Sequence, residues 1–279
     1  MPVCAAALVP AAVAAAALRP QVIALEPYLD QEHFAFRGRI GGQEGLFQFD
    51  TGGGLTTISP PTALAAGCHP WGQLTGFRMR GERVDVPRCD KVRIEARSVP
   101  LNLPTAGVWD LSALLPKGAP PLAGNVALDA FAGEAVTLDL AQRQLIIETP
   151  ASLKVRVAHA RQVPIQVLRE AAGYALEVVM GVETAAGRAW FELDSGNDAG
   201  LTVGRHLARL LNLDPNVSSA QPMQLQLAGA LTLPAKAHVR ELIIDGNIGV
   251  PLIRRWVVTL ELPQQRLWLA EAPQGQPTD

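Results

Sequence analysis

Two aspartates, Asp50 and Asp194, close matching segments of this chain. Residues 46–53 read Leu-Phe-Gln-Phe-Asp-Thr-Gly-Gly, and residues 190–197 read Trp-Phe-Glu-Leu-Asp-Ser-Gly-Asn. One Asp-Thr/Ser-Gly tripeptide is cheap: at average composition it turns up by chance in roughly one chain in ten of this size. Taken singly it reads as a tight turn, in which Asp accepts from its own backbone and Gly supplies positive φ. Two copies in the same context raise a different chemistry. Equivalent positions in two lobes related by a twofold meet near the axis. Two carboxylates placed there cannot both ionise at moderate pH, so they share a proton and titrate as a pair. The ionised member can deprotonate a bound water while the protonated one hydrogen-bonds a substrate carbonyl. That is general acid–base amide hydrolysis without a covalent intermediate.

The elements that must position these residues are themselves repeated. Each aspartate follows a segment alternating at period two, the pattern of a half-buried strand. Hairpins are expected ahead of each: His33 to Ile40 with Gly45 to Phe49, and Tyr174 to Val182 with Arg188 to Leu193. Short helices are expected at Pro60 to Ala66 and Gly204 to Leu211. Further on, Gly124-Asn125-Val126-Ala127-Leu128 is matched by Gly246-Asn247-Ile248-Gly249-Val250, and Val136-Thr137-Leu138-Asp139-Leu140 by Val258-Thr259-Leu260-Glu261-Leu262. Gly124 to Thr137 and Gly246 to Thr259 each span thirteen residues. The first copy is longer by twenty-two residues, all between its Asp and this second segment. A shared framework with one length difference in the middle is the signature of duplicated lobes with different loops. The fold class is therefore all-β with short helices. Residues 1–20 are set aside as a leader, 21–150 form the first lobe and 151–279 the second. The polar stretch 149–163 reads as an inter-lobe linker or connecting strand.

Composition bounds the function. Apolar residues make up 48% of the chain and charged residues 18%, enough to build a sizeable core. The net charge is −2 with no basic cluster, which argues against nucleic acid or an anionic membrane surface as partner. Val3 to Leu18 is almost wholly Ala, Val and Leu: too short to span a bilayer comfortably, and similar to the apolar part of a secretory signal. No Lys or Arg precedes Arg19, so the usual positive n-region is missing. Export to a periplasmic or extracellular setting is expected, and no membrane span should remain once the leader is removed. Cys68 and Cys89 read as a disulfide or as two separate buried thiols. No metal-ligand spacing occurs among the three cysteines and five histidines, and no cofactor motif is found. The histidines read as isolated surface or core residues, and Trp71 and Trp109 as packing residues.

Asp50-Thr51-Gly52 and Asp194-Ser195-Gly196 resemble the paired active-site motifs of aspartic proteases. The later segments around Asn125-Val126-Ala127 and Asn247-Ile248-Gly249 resemble the second motif of bacterial retropepsin-like and pepsin-like proteins. The resemblance covers residues 34–149 and 174–270. It implies two pseudo-twofold-related acid-protease β-barrel lobes in one monomeric chain, with Asp50 and Asp194 as the catalytic dyad. Thr51 and Ser195 would buttress the dyad through hydroxyl hydrogen bonds, and Gly52 and Gly196 would let backbone amides approach it. The implied substrate is a peptide or protein, with no cofactor and no metal. The alternative is a catalytically degenerate peptide-binding or scaffold protein of the same fold.

The pattern has departures. Gly53 and Asn197 stand where Ala or Ser is usual, Ala127 replaces a Gly, and Asn125 and Asn247 replace apolar residues. No Tyr lies between Asp50 and Gly124, so flap turns are sought at Leu74-Thr75-Gly76-Phe77 and Leu227-Ala228-Gly229-Ala230. Acid-tuned relatives carry a hydroxyl donor three positions after each Asp. Its absence at Gly53 and Asn197 predicts a weakly acidic to near-neutral working range.

Overall fold

The computed structural model describes residues 19–29, 33–229 and 231–273. Most of the leader, Cys4 and Ala230 lie outside them.

The first lobe begins with β1 (Gln21–Ala24) and β2 (Glu26–Tyr28), followed by the hairpin of β3 (His33–Ile40) and β4 (Gln43–Phe49). Its turn is Gly41-Gly42, both at positive φ (55° and 82°), as a two-residue hairpin turn matched to strand twist requires. Next come β5 (Thr57–Ile58), helix α1 (Pro60–Ala65), β6 (Trp71–Phe77), β7 (Arg83–Ala96) and β8 (Val99–Val108). The lobe closes with β9 (Gly124–Val126), β10 (Ala135–Asp139) and β11 (Gln144–Glu148). The stretch 149–163, read as a linker or connecting strand, is a helix, α2 (Pro150–Val157), followed by a strand, β12 (Arg161–Val163). Its start signal is a capping box that the apolar periodicity does not show: Ser152 N–H donates to Thr149 Oγ1 at 3.1 Å, and Thr149 N–H to Ser152 Oγ at 2.9 Å.

The second lobe comprises β13 (Ile165–Leu168), β14 (Glu177–Thr184), β15 (Gly187–Leu193) and β16 (Leu201–Gly204). It continues through β17 (Gln221–Leu227), β18 (Leu231–Arg240), β19 (Gly246–Ile248), helix α3 (Val250–Ile253), β20 (Trp256–Glu261) and β21 (Arg266–Glu271). The helix expected over Gly204 to Leu211 is only a 3₁₀ turn at Ala208–Leu211, and its first expected residue ends β16.

The duplication is explicit in the sheets. One runs β2-β3-β4-β9-β5-β8-β7-β6, with β3 also touching β7. The other runs β13-β14-β15-β19-β16-β18-β17, with β14 also touching β17. Those extra pairings curl each sheet toward a barrel. The third sheet, β1-β11-β10-β20-β21-β12, joins the lobes. Its central pair, β10 and β20, is antiparallel and in register at Thr137↔Thr259, whose hydroxyls lie 3.0 Å apart. The chain is mostly β and two-lobed, with a few short helices.

In each lobe a short strand lies between the strand that delivers the aspartate and the strand that leaves it. β9 pairs parallel with β4 and antiparallel with β5; β19 does the same with β15 and β16. The aspartate loops must therefore arch over an inserted strand. That insertion demands glycine. A Cβ on Gly124 would stand 3.1 Å from Ile58 Cα and closer still to the Thr57 carbonyl, and one on Gly246 would meet the Phe191 ring at 2.5 Å. Below the strands, Phe36, Phe47, Phe49, Phe131 and Phe191 are fully buried in a core continuous across both lobes. The Gly124→Ala protein should lose at least about 2 kcal/mol of stability, because backbone rather than a flexible side chain must give way. An unchanged urea midpoint would contradict this.

Candidate active site

The two aspartate loops meet face to face. Asp50 N–H donates to the Val126 carbonyl and Asp194 N–H to the Ile248 carbonyl, both at 3.0 Å, so each loop is tied to its own inserted strand. Gly52 N–H donates to Asp50 Oδ1 at 3.0 Å, and Gly196 N–H to Asp194 Oδ1 at 2.8 Å. The glycines also pack across the interface. A Cβ on Gly196 would lie 2.5 Å from both Asp50 carboxyl oxygens, and one on Gly52 would lie 2.6 Å from Asp194 Oδ1. Only hydrogen at those positions lets the carboxyls approach.

The hydroxyl residues exchange bonds between lobes. Thr51 N–H donates to Ser195 Oγ at 3.0 Å, and Ser195 N–H to Thr51 Oγ1 at 2.9 Å, across a sequence separation of 144 residues. The Thr51 hydroxyl donates onward to the Leu193 carbonyl at 2.6 Å, and that of Ser195 to the Phe49 carbonyl at 3.4 Å. Both residues are fully buried. The six residues singled out from the sequence, Asp50, Thr51, Gly52, Asp194, Ser195 and Gly196, thus come together in one reciprocal cluster.

The electrostatics follow from that geometry. Asp50 is held well above the ordinary carboxylate range, first by burial, then by repulsion from Asp194, then by its hydrogen bond with Asp194; Gly52 and Asn125 oppose the shift. Asn125 and Asn247, departures from the family pattern, donate to the outer carboxyl oxygens. Asn247 Nδ2 reaches Asp194 Oδ2 at 2.6 Å, and Asn125 Nδ2 reaches Asp50 Oδ2 at 3.5 Å. Asn197 does not turn toward Asp194; its Nδ2 donates to Asn247 Oδ1 at 2.5 Å. Gly53 makes room in the first lobe, since a Cβ there would sit 2.5 Å from Asn125 Nδ2. An amide from the inserted strand thus donates closely to Asp194, whereas the one facing Asp50 makes only a long contact.

Several site residues escaped sequence reasoning. Glu192, two residues before Asp194, accepts from Asn247 Nδ2 at 2.9 Å. Glu177, pushed up to about 7 by burial and then by Glu170 and Asp194, lies against Gly54 of the opposite loop. His33, read as isolated, places Nε2 3.0 Å from the Gly196 carbonyl. His33 and Glu177 open β3 and β14 and so hold the same place in the two copies. The signals were present: Asn at one repeat position twice, and Glu192 in phase with Asp194 at period two.

The first-lobe flap candidate lies within β6, and the tip of the β6–β7 hairpin is Arg78 to Glu82. That tip reaches the second lobe, where Ile243 N–H donates to the Met79 carbonyl at 3.0 Å. Of the second-lobe candidate, Leu227 ends β17 and Ala228 and Gly229 follow it toward β18, while Ala230 lies outside the described residues. Cys68 and Cys89 form a disulfide with Cα atoms 5.9 Å apart. Among the described residues no three metal-ligating side chains come together, and no helix is long and apolar enough to cross a membrane.

No family model and no curated protein matches the chain. Among solved structures it is similar to basic 7S globulin from soybean, at 8% identity and a TM-score of 0.59, covering 90% of this chain and 94% of that one. At this identity the likeness concerns the fold alone.

Thr51→Val keeps the side-chain shape but leaves the Ser195 N–H and the Leu193 carbonyl without their buried partner. It should cost about 1–3 kcal/mol. Equilibrium denaturation measures this, and a variant as stable as the parent would show that the exchange between the loops holds nothing together.

Proposed function

We propose that the protein is an aspartic-type peptidase that hydrolyses peptide bonds with water activated between Asp50 and Asp194. The observation carrying this reading is the reciprocal packing of the two aspartate loops, in which each motif glycine admits the other lobe's carboxyl. Asp194 receives two close N–H donors, from Gly196 and Asn247, so its carboxyl oxygens serve as acceptors. Asp50 has one comparable donor and a weak one, and its proton is held by burial and by its neighbour's charge. Asp194 is then the base that takes a proton from water, and Asp50 the acid that hydrogen-bonds the substrate carbonyl oxygen. As water adds, the Asp50 proton passes to the carbonyl oxygen; collapse of the tetrahedral species returns a proton to the leaving amine.

Activity requires one proton on the pair, so it falls at low pH when the pair takes up a second proton and at high pH when Asp50 loses its own. A raised Asp50 moves the upper limit upward, favouring a weakly acidic to near-neutral range. The Cys68–Cys89 bridge supports an exported setting.

A second reading keeps the fold for peptide binding without turnover. The polar groups crowded around the dyad, Asn125, Asn247 and Glu192, favour it, as does similarity to a protein named as a globulin rather than as a peptidase.

Asp50→Asn and Asp194→Asn should each abolish cleavage of a peptide library while leaving the thermal midpoint within a few degrees, because the pair works as a unit. Substantial turnover in either variant would sink the dyad. Peptide binding by the parent without cleavage at any pH would favour the second reading.

A further inference from the structure

The second lobe reaches the first through a segment that has no equal in the repeat. β13 is the counterpart of β2, and each pairs antiparallel with the strand that follows it. The connection to that strand spans four residues in the first lobe, 29–32, and eight in the second, 169–176. The longer connection, a strap, holds a turn in which Gly173 N–H donates to the Glu170 carbonyl at 2.8 Å. The two central residues of that turn, Ala171 and Ala172, both lie at positive φ (47° and 59°). A turn of this kind favours Asn-Gly, because the left-handed region is costly for other side chains. Alanine stays there only while its surroundings impose it.

Those surroundings are the β6–β7 flap hairpin of the other lobe. Ala171, Tyr174 and Ala175 pack with Leu74 and Val86 of the hairpin and with Leu55, in a small apolar cluster separate from the main core. Arg88 of β7 meets two rings, its guanidinium carbon 4.1 Å from the centre of Trp71 and 5.7 Å from that of Tyr174. Leu176 N–H donates at 2.8 Å to the carbonyl of Gly54, in the Asp50 loop. The hairpin crosses the other way. Its Met79 carbonyl accepts from Ile243 N–H of the second lobe, and a Cβ on Gly81 would stand 3.1 Å from Ile243 Cγ2. Strap and hairpin thus cross the junction of the lobes in opposite directions and brace each other beside the Asp50 loop.

We propose that the strap, residues 169–176, latches the flap hairpin shut over the cleft, and that a peptide enters when the strap lets the hairpin go. This rests on the cleft between Asp50 and Asp194 being the peptide site. The apolar cluster, the Arg88 contacts and the hydrogen bonds of Leu176 and Ile243 hold the latch closed. The two left-handed alanines work against it. The balance leaves a latch that can open, whereas an Asn-Gly turn at the same place would favour the closed form.

Amide hydrogen exchange followed by NMR tests the latch without turnover. Tyr174→Ser should speed exchange of the Ile243 amide by about tenfold or more, because the hairpin that covers it loses its brace. The Asp194 amide, bonded to the Ile248 carbonyl, should exchange as in the parent. Ala171→Asn combined with Ala172→Gly should slow the Ile243 amide. This pair only relieves strain, so it tests the same link if Tyr174→Ser does not fold. A pool of fluorescein-labelled random decapeptides then reads access: its association rate should rise several-fold in Tyr174→Ser and fall in the Asn-Gly variant. An Ile243 amide that ignores both changes, or that speeds only together with Asp194, overturns the proposal, as does an association rate that follows neither variant. Faster association without cleavage would count against the peptidase reading alone, and cleavage with unmoved exchange and association against the strap alone.

Discussion

Everything at the centre of this molecule depends on holding two carboxyl groups together against their own repulsion. Two unit charges about 4 Å apart repel by about 4 kcal/mol at an effective dielectric near 20. One retained proton removes that cost and turns the repulsion into a hydrogen bond, but the loops must still be kept in place. The exchange between Thr51 and Ser195 does this with buried hydrogen bonds whose donors and acceptors have no water to fall back on. The continuous core and the joining sheet, centred on Thr137 and Thr259, carry that constraint outward into both lobes.

The two halves share a backbone solution and differ in its chemistry. Both arch an aspartate loop over an inserted strand, tie Asp N–H to that strand's carbonyl, and turn a glycine N–H onto the inner carboxyl oxygen. Around the outer oxygen they part. The second lobe builds a relay from Ala199 through Asn197 and Asn247 to Asp194 and Glu192. The first offers only a long contact from Asn125. A symmetric scaffold thus presents an asymmetric pair of carboxyls.

The departures from the aspartic-protease pattern that the chain resembles fit together rather than singly. Gly53 is needed because Asn125 occupies the space a side chain would take, and Asn197 is needed to orient Asn247. Substitutions that look like erosion when read one at a time form two local sets of mutually required residues.

The sequence by itself determined the duplication, the strand-to-turn setting of both aspartates and the all-β class, because these rest on local periodicity and on spacing within each copy. It also marked the six motif residues that the fold brings together. It could not show α2, whose start depends on hydrogen bonds between Thr149 and Ser152 rather than on apolar phase. Nor could it place Glu192, Glu177 and His33 in the site. Their roles arise where strands far apart in the chain are brought side by side, as Glu192 is with Asn247 across the parallel pairing of β15 and β19. Which amide faces which carboxyl is settled by contacts between such strands and loops, and long-range contacts of that kind exist only once the chain has folded.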